Sequence, residues 1–216
     1  VDKYKPKKIS DIIGNKIQIK QAKLWLNNFR NKVKGTKLAL FISGPPGIGK
    51  TTLSHLILKA FEYDVIEFNA SDVRNQKLVR EHLKNIIGKV SISKLMGGNL
   101  MNGIIMDEVD GLSSGDKGGI SELISFINPN KNKRGKNKIE LEYSNPIICI
   151  SNNETDKKMR DLKKECEIIR FVFPKKNELY TYSQKILKKE KKEIDDDKLL
   201  ELVMFCQNDI RKLIST

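Results

Sequence analysis

The chain lacks an apolar run of the roughly 18 residues that a membrane-spanning helix needs, and with 31% charged residues it reads as a water-soluble globular protein. Cysteine is scarce. Cys149, Cys166 and Cys206 are odd in number, scattered and set within apolar stretches, without the paired spacing of a zinc site or a disulfide framework. A reducing, intracellular setting is the expectation. No signal-peptide pattern opens the chain, and Val1 in first place makes it read as a segment of something longer. Arginine is scarce too, at seven of 41 cations.

What is present is positive charge. Lys plus Arg number 41 against 27 Asp plus Glu, a net charge of +14, which favours a polyanionic partner. Ammonium groups act as point charges on phosphate where guanidinium forks read base edges. Nucleic-acid backbone contact without sequence preference is therefore expected. The alternative is compositional drift, since Asn and Ile are abundant alongside Lys. At 216 residues and roughly 100 to 200 residues per domain, the chain holds one large domain, or one domain and a smaller one.

Periodicity predicts a helix over Lys16 to Phe29, a buried strand over Leu38 to Gly44 and a helix from about Lys50. A strand over Asp64 to Ala70, a helix over Gln76 to Ile87 and a strand over Asn102 to Asp110 follow. Next come a helix over Gly118 to Ile127 and strands over Pro146 to Asn152 and Glu167 to Phe173. Strands alternating with helices imply an α/β fold with a parallel sheet covered on both faces. After Pro174 the pattern is helical only, with Asn208 placed to cap a third helix from Asp209. Residues 1–174 thus read as a core domain and 175–216 as part of a small helical one. The polar Lys/Asn-rich stretch at 128–144 reads as an inserted surface loop, solvated or touching nucleic acid.

Gly44, Pro45, Pro46, Gly47, Ile48, Gly49, Lys50 and Thr51 match the phosphate-loop pattern, lying between a strand and a helix. Glycines let the backbone wrap with its N–H groups inward, and the helix dipole adds positive potential. Lys50 reaches the β and γ phosphates, Thr51 ligates Mg²⁺, and Thr52 adds an α-phosphate contact. At the end of the third strand stand Asp107, a Mg²⁺ ligand through water, and Glu108, a general base for an attacking water. Asn152 ends the next strand. A neutral amide there can hold water and γ-phosphate, although such an Asn also serves as a plain turn former.

The phosphate loop, DEVDG (Asp107–Gly111) and Asn152 together resemble AAA+ ATPases. VDKYKP at the start, IIGN (Ile12–Asn15), NASDVR (Asn69–Arg74), GDKGG (Gly115–Gly119), PIICISNN and NDIR (Asn208–Arg211) are similar to the large-subunit family of the replication factor C clamp loaders. The resemblance implies a five-stranded core with a helical lid, ATP and Mg²⁺ as ligands, and an adenine pocket lined by Val1 and Ile13. It also implies that Asn152 and Arg211 sense the γ-phosphate, the latter from the lid, and that Asn69 or Arg74 restrains Glu108 until DNA arrives. Arg74, Lys77 and Lys117 are implied as DNA contacts. Small subunits of the family carry a Ser-Arg-Cys element whose arginine enters a neighbour's site. Here the matching residues are Lys164, Glu165 and Cys166, so no finger is supplied and a neighbour's is needed.

The implied activity is ATP-dependent loading of the sliding clamp, proliferating cell nuclear antigen, onto primer-template DNA in replication and repair. The implied setting is the nucleus, in a hetero-pentamer with four small subunits and no membrane. Two alternatives stay open. One is the large subunit of a checkpoint or cohesion loader; the other is a nucleotide-gated DNA-binding subunit with little turnover.

Overall fold

The five apolar runs form strands β1 (Ala39–Ser43), β2 (Tyr63–Asn69), β3 (Met101–Asp107), β4 (Ile147–Ser151) and β5 (Cys166–Arg170). The computed structural model describes residues 2–70, 101–113, 118–128, 145–153 and 159–215. All four strand pairings are parallel, in the order β2-β3-β4-β1-β5. Burial explains that order. β1 and β4 are buried at every position and sit inside, whereas β2 and β5 mix buried with exposed positions and form the edges.

Successive strand side chains point to opposite faces. Phe41, Cys149 and Met106, in register across three strands, meet Leu123 and Ile127 of α3 (Gly118–Ile127) and Leu162 of α4 (Arg160–Glu165). Leu40, Ile148 and Ile105 fill the other face against Trp25 and Leu26 of α1 (Lys16–Arg30) and Leu53 and Ile57 of α2 (Lys50–Ala60). The indole N–H of buried Trp25 donates to the Lys37 carbonyl at 2.9 Å, so its burial leaves no donor unpaired. Helices α5 (Lys176–Glu190), α6 (Asp196–Phe205) and α7 (Ile210–Ser215) follow β5. Their small core of Leu179, Val203, Cys206 and Leu213 is separate from both faces of the sheet.

The parallel sheet with helices on both faces is the expected architecture, with four local corrections, the first being that β5 stops at Arg170 and not Phe173. β3 stops at Asp107 and not Asp110, because Glu108 adopts a left-handed φ of 53° and the chain enters a 3-10 turn over Val109–Ser113. Asn208 does not cap α7. It is itself left-handed, and the Asp209 carboxylate accepts the N–H groups of Arg211 and Lys212 at 2.8 and 3.1 Å. Helix α4 is unanticipated: at six residues its only sequence mark is the spacing of Met159, Leu162 and Cys166, all buried. The helix expected over 76–87 and the loop residues 129–144 lie outside the described residues.

Gly103 in β3 is a packing limit. A Cβ there would lie 2.8 and 3.0 Å from the Leu58 methyls and 3.2 Å from Tyr63 Cβ, with Leu58 fully buried and unable to move aside. Overpacking outweighs the gain in chain stiffness, so Gly103→Ala is expected to lower stability by about 1–2 kcal/mol. A shifted denaturation midpoint with unchanged slope checks this; an unshifted one would show slack that the packing does not display.

Candidate functional site: a phosphate cradle at the carboxyl ends of the strands

From β1 the chain runs to the edge strand β2, returns through β3 and β4, then crosses to β5 on the far side. The reversal falls between β1 and β4, and ligands of open α/β sheets bind outside the carboxyl ends of the strands at such a point. The loop after β1 occupies it. Gly44 approaches the Phe171 carbonyl so closely that a Cβ would lie 2.4 Å from its oxygen. Gly47 takes φ +76° and Gly49, the N-cap of α2, φ +89°, values that L side chains resist. No side chain caps α2, so its first N–H groups and positive dipole end are left for an anion above the loop.

Lys50 opens α2 at 5% exposure. Its ammonium donates to the carbonyls of Gly44 (2.7 Å) and Pro45 (2.8 Å) and to Asn152 Oδ1 (2.8 Å), which ties the loop to the end of β4. Burial pulls the Lys50 ammonium down to about 8; Asp107 opposes the shift, Arg211 adds to it and Asp110 opposes it. The Thr51 hydroxyl donates to Asp107 Oδ2 at 2.6 Å, and Asp107 Oδ1 accepts the Glu108 N–H at 2.8 Å. One carboxylate and one hydroxyl side by side suit a hard cation that completes its shell with phosphate and water, as Mg²⁺ does. Among the described residues no cluster of three His, Cys, Asp or Glu offers a metal a fuller set of protein ligands.

Beside these groups lies a cavity of about 380 Å³. Gly47, Gly49, Thr51, Thr52, Asp107 and Arg211 form its phosphate-loop side, Pro6, Ile12, Ile13, Ile48, Ile210 and Ile214, with Tyr4 and Tyr182, give it apolar walls, and Lys5, Asp11, His55 and Glu67 also line it. A flat base with a charged tail matches that division. The N-terminal wall is held from a distance. The Asn15 side-chain amide, at a left-handed φ, donates to the Val172 carbonyl at 2.8 Å and accepts its N–H at 3.0 Å, which fixes Ile12 and Ile13 beside the loop. The Tyr4 hydroxyl donates to Glu190 of α5, and the Tyr182 hydroxyl donates to the Tyr4 carbonyl at 3.3 Å.

The structure thus brings Ile13, the phosphate loop, Thr52, Asp107, Asn152 and Arg211 together. Pro46 is exposed at the loop's tip. Glu108 adjoins Asp107 but, like Gly44, Pro45, Lys50 and Asn152, does not line the cavity. Asn69 stands across from Asp107 in the β2–β3 register. Val1, Arg74, Lys77 and Lys117 lie outside the described residues. Lys164 and Glu165 end α4; Glu165 accepts a hydrogen bond from Asn128 at 3.0 Å. Sequence reasoning missed Tyr4, Tyr182, Ile214, Asp209 and the His55–Glu67 pair, which is 2.5 Å apart. His55 was findable, since it stands one turn beyond Thr51 and Thr52 on α2. The others come from residues remote in sequence.

Comparison with known proteins agrees with this geometry. The chain is 34% identical to replication factor C subunit 1 of Saccharomyces cerevisiae over 99% of its length and 25% of the relative's. It is 34% identical to the replication factor C large subunit of Methanococcus aeolicus, over its whole length and 41% of the relative's. The chain therefore spans well under half of these curated relatives. Among solved structures it is similar in fold to the Thermotoga maritima RuvB Holliday junction branch migration motor. The TM-score is 0.70 at 17% identity, covering 98% of this chain and 63% of that one. Residues 40–173, more than half of the chain, match the ATPase family associated with various cellular activities (AAA), and the chain belongs to that family.

Proposed function

We propose that this chain is the ATPase module of a clamp-loader large subunit, which uses ATP and Mg²⁺ to open the ring of proliferating cell nuclear antigen and set it on primed DNA. The observation that carries the reading is the convergence of Lys50, Thr51, Asp107 and Asn152 on one loop. Residues 1–174 are the nucleotide-binding core and 175–216 part of the lid, a division supported by the separate helical core after β5. Four small subunits, the clamp and primer-template DNA are the partners, in the nucleus. Arg74, Lys77 and Lys117 are assigned to DNA phosphate.

In this reading the loop N–H groups and Lys50 bind the β and γ phosphates, Thr52 binds the α phosphate, and the apolar wall with Ile13 takes the adenine. Thr51 and Asp107 hold Mg²⁺, which when bound neutralises charge developing on the phosphates. Glu108 takes the proton of the attacking water. Asn152 orients that water, and Arg211 meets the γ phosphate from α7. Because Lys50 titrates near 8 without ligand and phosphate favours the ammonium, binding below pH 8 finds the group already charged. Above it a proton must be taken up, so affinity weakens with rising pH by up to about tenfold per unit. Calorimetry at pH 8.5 in buffers of different ionisation enthalpy is expected to show proton uptake, lost in Lys50→Arg.

The reading as a whole is tested by reconstituting the full-length chain with four small subunits and following a labelled clamp onto primed DNA. Loading that requires ATP and this chain supports it. Loading equally well without either overturns it.

A further inference from the structure

We propose that Asp209 is a positioning residue that sets the height of Arg211 above the phosphate loop, an inference that rests on the ATP-site reading given above. Helix α7 has only six residues, so its placement depends on how its first turn is held. Asp209 Oδ1 accepts the N–H groups of both Arg211 and Lys212, at 2.8 and 3.1 Å. The same carboxylate lies flat against Gly47. A Cβ on Gly47 would be 2.4 Å from Oδ1, 2.7 Å from Cγ and 2.9 Å from Oδ2. The absent side chain of Gly47 therefore does more than free the loop backbone; it is the seat on which the cap of α7 rests.

The contact links the loop to Arg211 through one rigid group. Asp209 Oδ1 bonds the Arg211 N–H directly, and Ile210, Arg211 and Ile214 all line the cavity. A shift of α7 on its seat moves the arginine and the apolar wall together. Capping alone does not require this side chain, because Ser, Thr and Asn cap comparably and bring no negative charge beside a phosphate site. A carboxylate or amide is needed to fill the space over Gly47, whereas the shorter Ser satisfies the N–H groups and leaves a gap there.

Two variants of the full-length chain, assembled with its neighbouring subunits, separate capping from seating. Asp209→Asn keeps the volume and the cap, and is expected to remain within about twofold of wild type in saturating turnover. Asp209→Ser keeps the cap alone. Hydrogen exchange without nucleotide is expected to show α7 as protected as in wild type and residues 47–50 exchanging faster. Its saturating turnover is expected to fall on the order of tenfold or more, with KM much less affected, because misplacing a positioned group by a fraction of an ångström weakens the transition state above all. Wild-type turnover and loop exchange in Asp209→Ser would overturn the proposal, as would loss of α7 protection in that variant or an Asp209→Asn variant as impaired as Ser. Should the wild-type assembly hydrolyse no ATP, the reading of the site fails, while the exchange measurement still decides the Asp209 seat.

Discussion

Turnover of ATP by the purified full-length chain alone is expected to be very slow, and to rise by about 10³ to 10⁵ when a neighbour supplies an arginine to the nucleotide. The proposed reading accounts for the deficit. Lys50 already meets three acceptors, and of the lysines and arginines lining the cavity, Lys5 and Arg211, only Arg211 is a guanidinium able to grip phosphate oxygens in a fork. On that reading, charge developing on the transferred phosphate is met by a further cation from outside. On the proposed reading this chain returns no such arginine, because the resemblance aligns Glu165, which accepts a hydrogen bond from Asn128, with the arginine of the small subunits. Mutating the neighbour's arginine is expected to abolish the rise, and Glu165→Ala to leave every ATP site of the assembly nearly unchanged. Fast turnover by the isolated chain, or a partner's site that depends on Glu165, would contradict the reading that this chain takes an arginine from a neighbour and supplies none.

Glu108→Gln is expected to lower turnover by about 10² to 10⁴ while leaving ATP and Mg²⁺ binding intact. The bond that organises the neighbouring carboxylate comes from the Glu108 backbone: its N–H, and not its side chain, donates to Asp107 Oδ1. Gln has nearly the same shape and preserves that bond, so the Thr51–Asp107 pair stays as it is. What disappears is the negative charge of the side chain and with it the capacity to accept a proton. Nucleotide titration and single-turnover rates on the same sample separate the two effects. Equal loss of binding and rate would make Glu108 a metal ligand or a fold residue.

The elements of this site that were legible in sequence are local. The phosphate pattern occupies eight consecutive residues between a strand and a helix, and Asp107 and Glu108 end an apolar run, so the chemistry and its secondary-structure setting are read together. The strands were legible because each contains a short apolar run; their order in the sheet was not read from the sequence and comes from the structure. What was not legible is held by residues far apart. The bonds from Asn15 to Val172 span 157 positions and that from Tyr4 to Glu190 spans 186, and the Asp209–Gly47 contact likewise joins residues remote in sequence. Helix α4 is too short for its period to stand out, and the choice of Asp209 over Asn208 as cap turned on a left-handed residue that Asn tolerates as readily as it caps. Ile13 and Arg211 were reached through family resemblance; the structure adds the Asn15 bridge and the Asp209 cap that hold them.

The central claim is that the loop around Lys50 is a triphosphate cradle, and titration of labelled ATP against the full-length chain and its Lys50→Ala variant tests it most directly. Charge-assisted hydrogen bonds contribute about 1.5 to 3 kcal/mol each, and about 1.4 kcal/mol is a tenfold change in affinity. Loss of the ammonium is therefore expected to weaken ATP binding by roughly tenfold to a hundredfold or more, in a variant whose unfolding remains cooperative. Unchanged affinity in that folded variant would contradict the account.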